Sequence, residues 1–158
     1  MGVVLARVDE RLIHGQVALA WLREIDVDMV VVVDDESARD PLKTTLLEMA
    51  VSGRMKCLVK TKKDAIDYLK KYQNKKVFMC VKSSLVLEEL MNAGVTIPRI
   101  NIGGIYARKD RRQYFKTIYL TEEEKVDLLR LEGYSTDVFY QVVPRDEKIN
   151  ILSELKNK

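Results

Sequence analysis

The sequence predicts an α/β fold: an open, doubly wound, mainly parallel sheet of about seven strands with helices on both faces. Three observations carry this expectation. Short apolar runs alternate with segments of helical period from Val3 to Ile102. Runs such as Met29-Val30-Val31-Val32-Val33 and Val77-Phe78-Met79-Cys80-Val81 are apolar at every position, as strands become when helices cover both faces of a parallel sheet. At 158 residues, with 47% apolar and 32% charged side chains and only 7 Gly and 3 Pro, the chain suits one domain, residues 1–158, with a sizeable core.

The elements follow in order. Residues 3–8 form a first strand, apolar except for Arg7. The spacing of Val17, Ala20, Trp21 and Ile25 predicts a helix over 16–25 with Trp21 facing the core. Residues 28–33 read as the second strand and 40–51 as a helix with Pro41 in its first turn, where a missing N–H is tolerated. A strand at 56–59, a helix at 63–72, a strand at 76–81 and a helix at 83–93 closed by Gly94 come next. Residues 99–102 form the fifth strand, ending at Gly103-Gly104. Beyond it, 114–120 and 138–143 read as strands around a helix at 122–131, and a final helix occupies 146–155. In such a sheet ligands sit beyond the carboxyl ends of the strands, which gathers the loops 9–16, 34–40, 82–84 and 103–112.

Composition removes several function classes. A balance of 27 Lys and Arg against 24 Asp and Glu leaves +3, too little for a chain whose work is neutralising a nucleic-acid backbone. The seven tyrosines are scattered rather than gathered into a stacking platform. One histidine, His14, excludes sites that need two imidazoles, and no metal site is expected. Cys57 and Cys80 lie in or beside apolar runs with no CxxC, which predicts reduced, buried thiols and a cytoplasmic setting. The first ten residues carry Arg7, Asp9 and Glu10, and the longest purely apolar run is 17–22, so neither a signal peptide nor membrane insertion is expected.

The loop after the first strand is the most loaded: Arg7-Val8-Asp9-Glu10-Arg11-Leu12-Ile13-His14-Gly15-Gln16-Val17. An arbitrary lone histidine near a turn is usually a surface residue. This one sits where a strand hands over to a helix, close to free backbone N–H groups and the positive end of the helix dipole, and Gly15 lets the backbone approach a ligand. Arg11 adds a guanidinium suited to phosphate oxygens. Asp9 is placed either to hold Arg11 or to orient the imidazole by accepting its N–H. These are parts for handling a phosphoryl group on or beside a histidine. No GxxxxGK[ST] is present, which removes a P-loop NTPase. A histidine phosphatase needs an Arg directly before the His, where Ile13 stands, and a second histidine. A receiver domain needs an Asp after its third strand and a Lys after its fifth, where this chain has Val59-Lys60 and Gly103-Gly104.

The histidine loop resembles the active-site signature of the IIB components of the mannose/fructose/sorbose family of the bacterial phosphoenolpyruvate-dependent sugar phosphotransferase system. Val33-Asp34-Asp35-Glu36 with Asp40-Pro41-Leu42-Lys43 is similar to the family's acidic turn and second helix, Asn101-Ile102-Gly103-Gly104 to its Gly-Gly turn, and Val142-Val143-Pro144 to its closing strand. Asp34 stands where many relatives carry Asn. The resemblance implies a phosphocarrier enzyme: it accepts a phosphoryl group from a phosphohistidine on the IIA protein, holds it on Nδ1 of its own histidine, here His14, and passes it to a sugar during uptake through the membrane IIC and IID subunits. It also implies catalytic roles for Asp9 and Arg11, phosphoryl binding by Arg11, Gly15 and Gln16, no cofactor, and peripheral association with the permease. The rival expectation is a non-catalytic α/β module that holds an anion or sugar phosphate at the same loop. Two further clusters carry charge near the same edge. Asp34, Asp35, Glu36 and Asp40 read as a solvated turn and helix caps rather than a metal site. The run 108–112 reads as a solvated basic loop at the active edge, with docking of an acidic IIA surface as its functional alternative.

Overall fold

The computed structural model describes residues 2–51 and 55–158. In chain order the elements are β1 (Gly2–Asp9), α1 (Gly15–Glu24), β2 (Met29–Val33), α2 (Asp35–Ala38), α3 (Pro41–Ala50), β3 (Lys56–Lys60), α4 (Lys62–Lys71), β4 (Lys76–Val81) and α5 (Ser84–Asn92). Then come β5 (Arg99–Gly104), β6 (Arg112–Phe115), β7 (Ile118–Leu120), α6 (Glu122–Leu129), β8 (Asp137–Tyr140) and α7 (Ile151–Lys156). Six strands form one sheet in the order β3-β2-β4-β1-β5-β8, every neighbouring pair parallel. The doubly wound architecture is therefore as expected, with a corrected count: six strands in the main sheet and a separate antiparallel pair, β6-β7.

The two-residue period of the strands sends alternate side chains to two cores. Met29, Val31 and Val33 of β2 with Val77, Met79 and Val81 of β4 face Leu69 of α4, Leu87 and Leu90 of α5, Leu128 of α6 and Leu155 of α7. Val30, Val32, Phe78 and Cys80 face the other way, against Trp21 and Leu22 of α1 and Leu47 of α3. The chain leaving β1 thus runs to one face of the sheet, while the chain leaving the adjacent β4 runs to the other. That divergence opens a crevice at the carboxyl end of β1, the place where ligands collect in such sheets.

The deviations from expectation have local causes. Residues 114–120 turn back at Lys116-Thr117, so the expected single strand is a hairpin. It is tied to the active edge by Ile105 N–H to the Thr117 carbonyl (2.9 Å) and Tyr119 N–H to the Ile105 carbonyl (2.8 Å). The loop after β2 contains the short α2, too brief to show helical periodicity. The last strand stops at Tyr140, and the final helix begins only at Ile151, where the Asn150 side chain accepts from Ser153 N–H. The helix expected to reach residue 131 gives way to a tighter 3-10 turn, Arg130–Gly133.

Candidate functional site

The site starts from a charged pair inside an apolar strand. Register places Arg7 opposite Asn101 of β5, and both are buried, at 2% and 0% exposure. The Arg7 guanidinium donates to Asn101 Oδ1, to the Gln141 carbonyl (3.4 Å) and to Asp9 Oδ2 (3.2 Å), and lies 5.7 Å from the centre of the Trp21 ring. Asn101 Nδ2 also donates to the Gln141 carbonyl (2.9 Å). Buried charge is tolerated only when paired and hydrogen-bonded, and every group here meets that condition. Gly103 makes the arrangement possible: a Cβ there would sit 2.2 Å from Arg7 Cζ.

Asp9, 1% exposed, distributes its two oxygens among four donors. Oδ1 accepts from the Arg11 backbone N–H (2.9 Å) and the Tyr106 hydroxyl (3.0 Å); Oδ2 accepts from Arg7 and from His14 Nε2 (3.1 Å). Asp9 thus contacts both Arg11 and the imidazole, Arg11 through its main chain. A carboxylate is acceptor-only, so the Nε2 contact sets the tautomer with the proton on Nε2 and the lone pair on Nδ1. The imidazole is 23% exposed.

The loop that carries the ring is kinked and then anchored. Leu12 has φ +60°, in the left-handed region, where a non-glycine residue is disfavoured by about 1–2 kcal/mol. Its N–H donates to the Asp9 carbonyl (2.8 Å), and Leu12 and Ile13 bury their side chains to 5% and 6% exposure beside Trp21. Each buried aliphatic side chain contributes about 1.5–3 kcal/mol, enough to hold the kink. His14 is the N-cap residue of α1 but makes no capping bond, because its ring is turned to Asp9. Gly15 (φ +46°) and Gln16 open the helix exposed, with no acidic residue in the first turn. The first-turn amides and the positive end of the dipole therefore meet solvent next to His14.

No hydrogen bond joins Arg11 to His14. Its Nη2 donates to the Tyr106 hydroxyl (2.7 Å), and its Cζ lies 4.4 Å from the centre of that ring. Gly104 leaves room, since a Cβ there would sit 2.2 Å from the Tyr106 hydroxyl. The backbone of Tyr106 is held on both sides: its N–H donates to Glu10 Oε1 (2.8 Å), and its carbonyl accepts from Arg111 Nη1 (2.8 Å). Arg111, 4% exposed, also grips Glu10 and Glu124 with bonds of 2.7–2.9 Å, and these bonds raise its pKa. The basic run 108–112 is thus no single patch. Arg111 is a buried tie, Arg108 chelates Asp110 (2.8 and 2.9 Å), and Arg112 lies over Tyr114.

The acidic turn is structural. Asp34 caps α2 through Ser37 N–H (3.1 Å) and hydroxyl (2.6 Å) and pairs with Lys82 (3.2 Å), while Asp40 caps α3 through the amides of Leu42 and Lys43. Asp35 accepts from Lys62 N–H (2.7 Å), and Glu36 pairs with Lys43. Among the described residues no three His, Cys, Asp or Glu side chains converge as metal ligands. Ser83 caps α5, as expected of a serine there, through Leu85 N–H (3.1 Å). Trp21 is core, as expected, and also donates to the Val142 carbonyl (2.9 Å). Cys57 and Cys80 are free and buried. A groove of about 500 Å³, lined by Gln16, Val17, Ala20, Arg23, Val143 and Pro144, runs from the histidine loop along α1.

Sequence reasoning missed Arg7, Asn101, Gln141, Tyr106, Glu10 and Arg111. A signal existed for the first two: Arg7 interrupts an otherwise apolar strand run, and Asn101 stands between Ile100 and Ile102.

Comparisons with known proteins agree with one another. Residues 3–158 match the family model described as the PTS system sorbose subfamily IIB component. The chain is 31% identical over 157 residues to the sorbose-specific EIIB component of Lacticaseibacillus casei, covering 98% of this chain and 96% of that one. It is 31% identical over 154 residues to the mannose-specific EIIAB component of Escherichia coli, covering 96% of this chain and 48% of that one. The crystal structure of the IIBSor domain of the sorbose permease from Klebsiella pneumoniae superposes with a TM-score of 0.93 at 28% identity, covering 100% and 98% of the two chains.

Proposed function

The chain belongs to the sorbose subfamily of phosphotransferase-system IIB components, and from that premise we propose that it is a single IIB domain, residues 1–158, that carries a phosphoryl group on His14 Nδ1. The donor is a phosphohistidine of a IIA protein and the final acceptor a sugar. One observation carries the assignment: Asp9 Oδ2 accepts a hydrogen bond from Nε2–H at 3.1 Å, leaving the Nδ1 lone pair free beside the open N-terminus of α1.

The chemistry follows from that tautomer. The Nδ1 lone pair attacks phosphorus, the donor's P–N bond breaks, and its electron pair stays with the donor imidazole. His14 keeps its Nε2 proton and gains positive charge, which the buried Asp9 carboxylate offsets. The amides of Gly15 and Gln16 meet the transferred oxygens, and Arg11 supplies a mobile positive charge at the rim. Delivery reverses the sequence: a sugar hydroxyl oxygen bonds to phosphorus, the P–Nδ1 bond breaks with its electrons returning to the ring, and the hydroxyl proton is released to solvent. Between two nitrogens the exchange asks mainly for positioning and charge stabilisation. The partners are the IIA donor and the membrane IIC and IID subunits. The domain works in the cytoplasm and docks peripherally on the permease; among the described residues no helix is long and apolar enough to cross a membrane.

The test is labelling by phosphorylated IIA. An acid-labile, alkali-stable phosphoryl group is expected on the native chain and absent from His14→Ala. Uptake by His14→Ala at the native level, or none by the native chain, contradicts the reading, and the second result favours a module that only binds an anion. Arg11→Ala should take up label more slowly while unfolding at the native temperature.

A further inference from the structure

We propose that Tyr106 is a positioning residue for phosphoryl transfer, and that its hydroxyl, held by Asp9, presents the Arg11 guanidinium to the incoming phosphoryl group. This role rests on the carrier reading of His14 and extends it to a residue outside the histidine loop.

The hydrogen-bond inventory fixes the arrangement. A phenol has one proton to give. Asp9 Oδ1 can only accept, so the Tyr106 proton points to Asp9 at 3.0 Å and the oxygen lone pairs face Arg11, which can only donate, at 2.7 Å. Burial and the neighbouring Asp9 raise the pKa of this phenol, so the proton stays in place at neutral pH. Arg11 is thereby fixed at three points: its backbone N–H on Asp9 (2.9 Å), its Nη2 on the hydroxyl, and its Cζ 4.4 Å above the ring. Yet its side chain is exposed, and the fork keeps donors free for phosphate oxygens.

The surroundings are built to hold Tyr106. Glu10 takes its N–H, Arg111 takes its carbonyl, and Gly104 alone leaves room for its hydroxyl. An exposed arginine ordinarily samples many rotamers, and ordering it during transfer slows the reaction; ordering it beforehand removes that delay, an advantage of about three- to tenfold for one rotamer-rich side chain.

Tyr106→Phe keeps the ring and the backbone clamp and removes only the hydroxyl. Uptake from phosphorylated IIA should then slow about three- to tenfold at saturating donor, with the donor KM within about twofold. In an Arg11→Ala background the same substitution should change the rate less than about twofold, because Tyr106 acts through Arg11. In the unphosphorylated native protein, the Arg11 Nε–H resonance should be ordered, unlike that of exposed Arg145. A native rate for Tyr106→Phe, an undiminished loss in the Arg11→Ala background, or a disordered Arg11 in the native protein each overturns the proposal. Absence of uptake by the native chain is a separate result: it removes the carrier reading and this role with it.

Discussion

Gly103→Ala tests whether the buried charge cluster is as tightly built as its distances imply. The added methyl would lie 2.2 Å from Arg7 Cζ and 2.4 Å from both terminal nitrogens. Restoring an ordinary carbon contact of roughly 3.5 Å requires a retreat of about 1 Å. A guanidinium is the far end of a flexible side chain and ordinarily yields cheaply. Here it is 2% exposed, with its bonds to Asp9 and the Gln141 carbonyl already at 3.2 and 3.4 Å, so the same retreat breaks both. Losing the pairing of a buried charge costs about 3–5 kcal/mol, and partial relaxation brings the expectation to about 3 kcal/mol. At this chain length that lowers Tm by roughly 6–12 °C. Urea unfolding of native, Gly103→Ala, Arg7→Met and the double variant closes a cycle. With the guanidinium gone, the added methyl should cost under about 1 kcal/mol, giving a coupling of about 2 kcal/mol or more. A single variant Gly103→Ala within about 1 kcal/mol of native refutes the reasoning.

Other outcomes follow from the same distances. Arg111→Ala leaves Glu10 and Glu124 without their shared cation; both are about 30% exposed, so the loss should be about 1–3 kcal/mol in urea unfolding, with faster proteolysis in the loop around Tyr106. Burial pushes Asp34 up, but the Ser37 hydroxyl and N–H and then Lys82 outweigh it and hold the carboxyl below its ordinary 3.8. A carboxyl lowered on folding stabilises above its unfolded pKa and loses that effect as pH falls through its folded pKa. Asp34→Asn should therefore lower stability most near neutrality and flatten the acid limb of stability against pH below about 4, where the two proteins converge. Burial raises the thiol of Cys57 to about 12 and that of Cys80 further, so a disulfide reagent at about pH 8 should titrate both in urea and almost none in the folded protein. Rapid native labelling would show that the α1 face of the sheet opens on its own.

The sheet was legible because its signal is local. Alternating apolar runs and helical periods name β1 through β5 within a residue or two, and the His14 loop announces itself through residue types in a continuous stretch. What stayed hidden depends on contacts between distant residues. Arg7 meets Asn101 94 positions away and the Gln141 carbonyl 134 positions away; Arg11 meets Tyr106 95 positions away. A short window marks Arg7 as out of place in its strand, but it does not name the partners that will hold it. Gly103-Gly104 shows the limit from the other side: the turn is visible in sequence, but its purpose is to clear two separate side chains, Arg7 and Tyr106. The basic run misled for a related reason, since charge counted along the chain says nothing of Glu10 and Glu124 converging on Arg111. The 114–120 hairpin eluded reading because Tyr114, Ile118 and Leu120 keep a strand's two-residue period across the turn.

On the proposed carrier role, Leu12 sets a condition on how fast this chain would exchange its cargo. With one residue locked in the left-handed region and two successive side chains sunk into the core, the loop aims its imidazole before any encounter. A visiting protein has to find the right orientation of two rigid bodies; it does not have to wait for a wandering ring. Under that role, receipt and delivery would use one pose in turn, and traffic through the domain would be governed by how often partners collide well rather than by how long the loop takes to get ready.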